Sequence, residues 1–155
     1  MISVAIDGPS GAGKSTIARV AAAKFGFIYV DTGAIYRTIG LATKLRGVDA
    51  GDSAAVIALL PKLAIELSYN EAGEQVMLLD GANVSRDIRL PEVSMLASKV
   101  SAIPEVRAFL VEMQRDMARL HDVIMDGRDI GTVILPDADL KIFLTADVHA
   151  RARRR

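Results

Sequence analysis

The sequence predicts an α/β fold, a parallel sheet with helices on both faces that is interrupted by an inserted β-hairpin. Two observations predict it. Short apolar strands alternate with helical patterns from the N-terminus on, and such alternation builds parallel sheets through right-handed crossovers. The middle of the chain instead holds two alternating runs around a turn, the signature of an antiparallel pair. The 155 residues suit one domain, and 51% of them are hydrophobic, enough to bury a core.

Ile2 to Ile6 is a short apolar run ending in Asp7, as a buried parallel strand would be. A glycine-rich loop follows. Ser15 to Phe25 reads as a helix with Ile17, Val20, Ala21 and Phe25 available for one face. Phe27 to Val30 is a second strand, and Asp31-Thr32-Gly33 can start the helix that carries Ile35, Ile39 and Leu41. Ile65 to Tyr69 and Gln75 to Leu79 form the hairpin around Asn70-Glu71-Ala72-Gly73, and Asp80-Gly81-Ala82-Asn83 reads as a second turn. Pro91 to Val100 reads as a short helix. From Pro104, residues Val106, Phe109, Leu110, Met113, Met117 and Leu120 recur at spacings of three or four, an apolar stripe for core packing rather than a partner groove. Val123-Ile124-Met125 is a third core strand ending in Asp126, and Leu140 to Leu144 a fourth. A last helix starts near Asp147.

The chain has 19 basic and 19 acidic residues. This balance argues against a general nucleic-acid binder. There is no cysteine, so neither a disulfide nor a Cys-based zinc site can hold the fold. The N-terminus lacks the basic region of a signal peptide. No apolar stretch approaches the roughly 18 residues a membrane span needs. The expectation is a soluble, cytoplasmic monomer acting on small molecules, with neither nucleic acid nor membrane as partner.

Gly8-Pro9-Ser10-Gly11-Ala12-Gly13-Lys14-Ser15, with Thr16 after it, fits G-x-x-x-x-G-K-[ST]. Glycines let the backbone approach phosphate oxygens, and successive N–H groups form an anion nest. The next helix aims its positive end at the same anion. Lys14 can bridge the β- and γ-phosphates, and the Ser15 hydroxyl can ligate Mg²⁺. A chance glycine turn would not also have a strand before it and a helix after it. The motif predicts a P-loop NTPase-type sheet, and the expectation is that it binds the triphosphate of ATP for phosphoryl transfer.

A P-loop alone does not choose between a kinase, a GTPase switch and a motor. No Asn-Lys-x-Asp guanine-reading motif occurs. A small-molecule kinase needs a second, Arg-rich anion site at the carboxyl ends of the strands. Tyr36 and Arg37 in the first turn after strand two, Asp126-Gly127-Arg128-Asp129 after strand three, and Ser98 and Arg107 on the intervening helices supply one. Arg37 or Arg107 taken alone reads better as a solvated surface charge. Two carboxylates flanking an Arg directly after an apolar strand are unusual for a plain polar turn.

Gly8 to Thr16, Asp31-Thr32-Gly33-Ala34-Ile35-Tyr36-Arg37, Asp126-Gly127-Arg128-Asp129-Ile130-Gly131-Thr132 and Pro136 to Leu144 together resemble bacterial cytidylate kinase. The P-loop is common to many families; the second and third segments are far more specific. The resemblance implies transfer of the γ-phosphoryl of ATP to CMP or dCMP. It implies that residues 37–107 include the inserted nucleoside-monophosphate-binding region of a single kinase domain. It places Thr32, Ser98, Arg107 and Asp129 on the cytosine, and Tyr36, Arg37 and Arg128 on the CMP phosphate. The chemistry agrees: a carboxylate can accept from the cytosine amine, and arginines can grip a phosphate dianion. Lys14 and Arg128 would neutralise charge on the transferring group. Asp126 would hold Mg²⁺ through water, or else be a structural carboxylate bonding the P-loop.

Family members are longer by some tens of residues. In them, Arg151-Ala152-Arg153-Arg154-Arg155 would open a mobile lid, with Arg151, Arg154 and Arg155 closing over the phosphates and the remainder beyond the end of this chain. The other reading of this basic cluster is a solvated tail or nucleic-acid patch. Competing functions are another P-loop metabolite kinase, related to adenylate or shikimate kinase, and a nucleotide-dependent switch.

Overall fold

The computed structural model describes residues 1–154. The elements run β1 (Ser3–Asp7), α1 (Lys14–Phe25), β2 (Ile28–Asp31), α2 (Thr32–Leu45), α3 (Ser53–Leu59), β3 (Ile65–Tyr69), β4 (Gln75–Leu79), β5 (Ala82–Asn83), α4 (Pro91–Ser101), α5 (Pro104–Leu120), β6 (Val123–Gly127), β7 (Leu140–Phe143) and α6 (Val148–Arg153). One π-helical turn, Ile130–Ile134, follows β6. The chain divides into two compact units: Met1–Thr32 with Met113–Arg155, and Gly33–Glu112.

The first unit is built on a four-stranded sheet in the order β2-β6-β1-β7. All three pairings are parallel, as the alternating pattern predicts. β6 lies between β1 and β2. Its Val123, Ile124 and Met125 are all buried, because a central parallel strand is covered on both faces and reads as continuous apolar sequence. β7 is an edge strand, exposed along its whole length.

α1 is held differently from the expectation. Ala18 and Ala22, one turn apart, are its buried residues, and they pack with Ile6 and Ile124. Ile17, Val20 and Phe25 are exposed. Small side chains at i and i+4 face the sheet, whereas the large apolar residues that drew the prediction face solvent.

In the second unit, β3, β4 and β5 form an antiparallel sheet. The expected hairpin is present, and the second turn leads into a short third strand that the sequence reading did not include. Met77, Val56, Ile88, Val93 and Val100 are buried there. α2 and α4 approach so closely that a Cβ on Gly40 would lie 2.8 Å from the Ala97 nitrogen. α3 was also missed, although Asp52 caps it by accepting from the Ala55 N–H at 3.1 Å. On α5, Val106 and Leu110 are buried as expected, but Phe109 and Leu120 are exposed, and Gln114 is buried on the same helix.

Met125→Ala in the central strand should cost about 2–5 kcal/mol, the usual range for truncating a fully buried side chain. Phe143→Ser on the exposed edge strand should change stability by less than about 0.5 kcal/mol. Urea unfolding of both variants checks the contrast.

Candidate active site

The parallel register fixes where chemistry can sit. Asp126 pairs with Ile6 and Asp31, and Gly127 pairs with Asp7. Three carboxylates, Asp7, Asp31 and Asp126, therefore reach the carboxyl end of the sheet within about one residue of each other. The glycine loop leaves the same end of β1.

Gly8, Gly11 and Gly13 take φ values of 145°, 77° and 93°, a conformation that favours glycine. At Gly8 the constraint is also steric, since a Cβ would sit 1.9 Å from the Leu144 carbonyl oxygen. Gly13 hands the chain to α1, so the helix N-terminus opens onto the loop. Pro9, Ser10, Gly11, Gly13, Lys14 and Ser15 are half-buried, Gly8 and Ala12 are buried, and Thr16 is exposed.

Three side chains close this cradle. The Lys14 ammonium donates to the Pro9 carbonyl at 3.0 Å. The Ser15 hydroxyl donates to Asp126 Oδ2 at 2.7 Å. Arg154 donates to the Gly11 carbonyl at 3.2 Å. Arg151 turns to the Ala146 carbonyl at 3.2 Å, while its backbone lies against Gly11. Arg155 lies outside the described residues.

Asp126 is the electrostatic centre of the unit. Burial first, and the Asp31 carboxylate second, push it from 3.8 up to about 6, against the Ser15 hydroxyl, the Lys14 charge and the Tyr29 hydroxyl. Lys14 is lowered, chiefly by burial; Asp126 opposes that shift and the Arg128 charge adds to it. The structure thus brings Asp126 and Arg128 each into electrostatic range of Lys14. Arg128 itself is exposed, and Asp129 is half-buried. The buried Thr32 hydroxyl donates to the Asp126 carbonyl at 2.7 Å.

Within the second unit, Tyr36 and Arg37 lie in the second turn of α2, one turn later than expected, and both are half-buried. Ser98 is exposed on α4. Arg107 on α5 donates to the Ser101 carbonyl at 3.3 Å.

The family model described as cytidylate kinase matches residues 4–155. The chain is 51% identical over 155 residues to a protein of Lactobacillus johnsonii named cytidylate kinase, covering all of this chain and 67% of that relative. Relatives of the same name from Lactobacillus gasseri and Caldicellulosiruptor saccharolyticus are each 52% identical, over 100% and 99% of this chain and 67% and 68% of theirs. The chain belongs to the cytidylate kinase family. It is an enzyme, a phosphotransferase, and it spans about two thirds of the length of these relatives.

Two residues of this candidate site escaped sequence reasoning. Tyr29, on β2, donates to Asp126 Oδ1 at 3.2 Å, and the Arg19 guanidinium lies 5.9 Å from its ring centre. Asp7 accepts from the Ile130 and Gly131 N–H groups, both at 2.8 Å. Nothing local marks Tyr29, since its partner lies 97 residues away. Asp7 did have a signal, as a charged residue ending a buried strand. Among the described residues, no helix is long and apolar enough to cross a membrane.

Gly8→Ala should abolish nucleotide binding, because no rearrangement short of moving the Leu144 backbone clears the clash; titration with ATP checks it. Asp126 gives a pH prediction. Its folded pKa lies above its unfolded value, so its contribution to stability is complete below pH 3.8 and is lost as pH rises through about 6. Asp126→Asn should therefore melt at or above the unsubstituted chain at neutral pH without nucleotide. The difference should shrink as pH falls through the same window, while phosphotransfer drops by about 100-fold or more.

Proposed function

We propose that the chain transfers the γ-phosphoryl of ATP to CMP or dCMP, giving ADP and CDP or dCDP. The observation that carries this reading is the shared carboxyl end of β1 and β6. The glycine cradle leaves one strand and Asp126-Gly127-Arg128-Asp129 leaves its neighbour, so a donor-phosphate site and an acceptor-reading segment start side by side. The family assignment agrees.

The CMP phosphate oxygen attacks the γ-phosphorus as the bond to the β,γ-bridging oxygen breaks, and ADP leaves with that electron pair. The attacking oxygen is already anionic, so no strong base is required. The protein aligns the nucleotides and balances charge. Residues Gly8 to Thr16 bind the ATP phosphates, with Lys14 neutralising the transferring group. Arg128, Tyr36 and Arg37 bind the acceptor phosphate. Thr32, Ser98, Arg107 and Asp129 read the cytosine. Arg151, Arg154 and Arg155 belong to the segment that covers the donor phosphates.

Mg²⁺ fits the residues present. The Ser15 hydroxyl and Asp126 carboxylate are hard oxygen donors 2.7 Å apart, and a cation there would relieve the burial of a carboxylate facing Asp31. Ser15 would hold it directly and Asp126 through water. When bound, it would supply charge neutralisation on the phosphates. We place the enzyme in the cytoplasm, acting as a monomer on small nucleotides.

ADP formation measured with and without CMP tests the reading: CMP and dCMP should stimulate it, and AMP or shikimate should not. Preference for AMP or shikimate would refute it. Arg128→Ala should raise KM for CMP far more than for ATP; equal shifts would remove Arg128 from the acceptor role. Lys14→Met should lower kcat by about 100- to 1,000-fold, the usual loss for one group that stabilises developing charge.

A further inference from the structure

Arg128 and Asp129 sit on a short path. Behind them, Gly127 is still paired in the sheet with Asp7. Ahead of them, the chain enters the π-helical turn Ile130–Ile134. A π turn is rare and weakly favoured by itself, so something must hold it. Its own bonds run from the Val133 and Ile134 N–H groups to the Asp129 carbonyl, at 2.9 and 3.3 Å, and from the Leu135 N–H to the Ile130 carbonyl at 2.7 Å. Two charged side chains take two further groups at each end.

At the start of the turn, Asp7 Oδ1 accepts from the Ile130 N–H and Oδ2 from the Gly131 N–H, both at 2.8 Å. Two consecutive N–H groups fit a carboxylate, which offers two acceptors and no proton. At the end of the turn, Arg115 Nη2 donates to the Val133 carbonyl and Nε to the Ile134 carbonyl, both at 3.0 Å. A negative group therefore meets the N–H end and a positive group the carbonyl end, the favourable sense for helix charge. The fit is close, since a Cβ on Gly131 would lie 3.3 Å from Asp7 Oδ2. Each Asp7 oxygen thus holds one backbone N–H, and the side chain anchors the start of the turn.

We propose that Asp7 and Arg115 are positioning residues that grip opposite ends of the π turn and thereby fix Arg128 and Asp129 for the acceptor nucleotide. This rests on the acceptor role proposed above for Arg128 and Asp129. Asp7 ends the strand that feeds the P-loop, so one strand end sets the donor cradle and, through its side chain, the acceptor-reading segment.

The test pairs Asp7→Asn with Arg115→Met, which keeps the apolar stem. Amide hydrogen exchange at Ile130 and Gly131 is read by NMR, and dissociation constants for CMP and ATP are measured by calorimetry. Asn turns an amino group toward one of the N–H donors, so exchange at those amides should quicken at least about tenfold while Val123 to Met125 stay protected. Both variants should weaken CMP about tenfold and leave ATP within about threefold. Arg115→Lys, whose ammonium lacks the planar fork of the guanidinium, should recover only part of the CMP affinity. CMP and ATP weakening alike, or CMP unchanged in both variants, would overturn the proposal. An unsubstituted chain that binds ATP but no CMP would sink the acceptor reading itself, and the positioning role with it.

Discussion

The placement of β6 between β1 and β2 is the constraint on which the rest of the first unit depends. β6 pairs in parallel with both neighbours, so its end is level with theirs. A strand that ends in Asp-Gly-Arg-Asp is thereby set beside a strand that ends in the glycine loop. A shift of one residue would turn every side chain of β6 to the opposite face. Asp126 would then lose the Ser15 and Tyr29 hydroxyls it now accepts from. The continuous apolar run Val123-Ile124-Met125, buried on both faces, makes this central position favourable.

That geometry has a cost. Like charges gather where three strands end together, and burial makes the carboxylate form of Asp126 less favourable still. Hydroxyl and backbone donors compensate locally: Ser15 and Tyr29 at Asp126, and two N–H groups at Asp7. Each carboxylate so held is prevented from relaxing into solvent. The arrangement suits a reaction in which cations must face several phosphates at once, because preorganised charge need not reorganise during transfer. Local instability at such a site is expected where function competes with stability.

Legibility of the fold in the sequence followed the range of the forces involved. The strands, the hairpin, α4 and α5 were legible because their patterns are local. α1 was legible as a helix but not in its orientation. The large residues Ile17, Val20 and Phe25 suggested a buried face, whereas close approach to the sheet selected Ala18 and Ala22. β5 is only two residues long, too short for a periodic signal. The P-loop could be read because its glycines are needed for backbone reasons that a motif records. The links Tyr29–Asp126 and Asp7–Gly131 could not, since they join residues 97 and 124 apart in the chain and depend on strand order.

The cradle's own hydrogen bonds suggest how it can be both stable and receptive. Lys14 donates to the Pro9 carbonyl and Arg154 to the Gly11 carbonyl, so two cations are satisfied by backbone oxygens of the glycine loop. Carbonyls are weaker partners than phosphate oxygens, because a charge-assisted bond between two ionised groups is the stronger one. Both cations can therefore exchange a neutral acceptor for an anionic one at a gain. Ser15 differs, because its present partner, Asp126, is itself a carboxylate. Its exchange is favourable only if something else takes up the Asp126 charge. A divalent cation reaching Ser15 would do so, which couples cation entry to the release of the hydroxyl. The loop would then engage phosphate and metal together rather than either one alone.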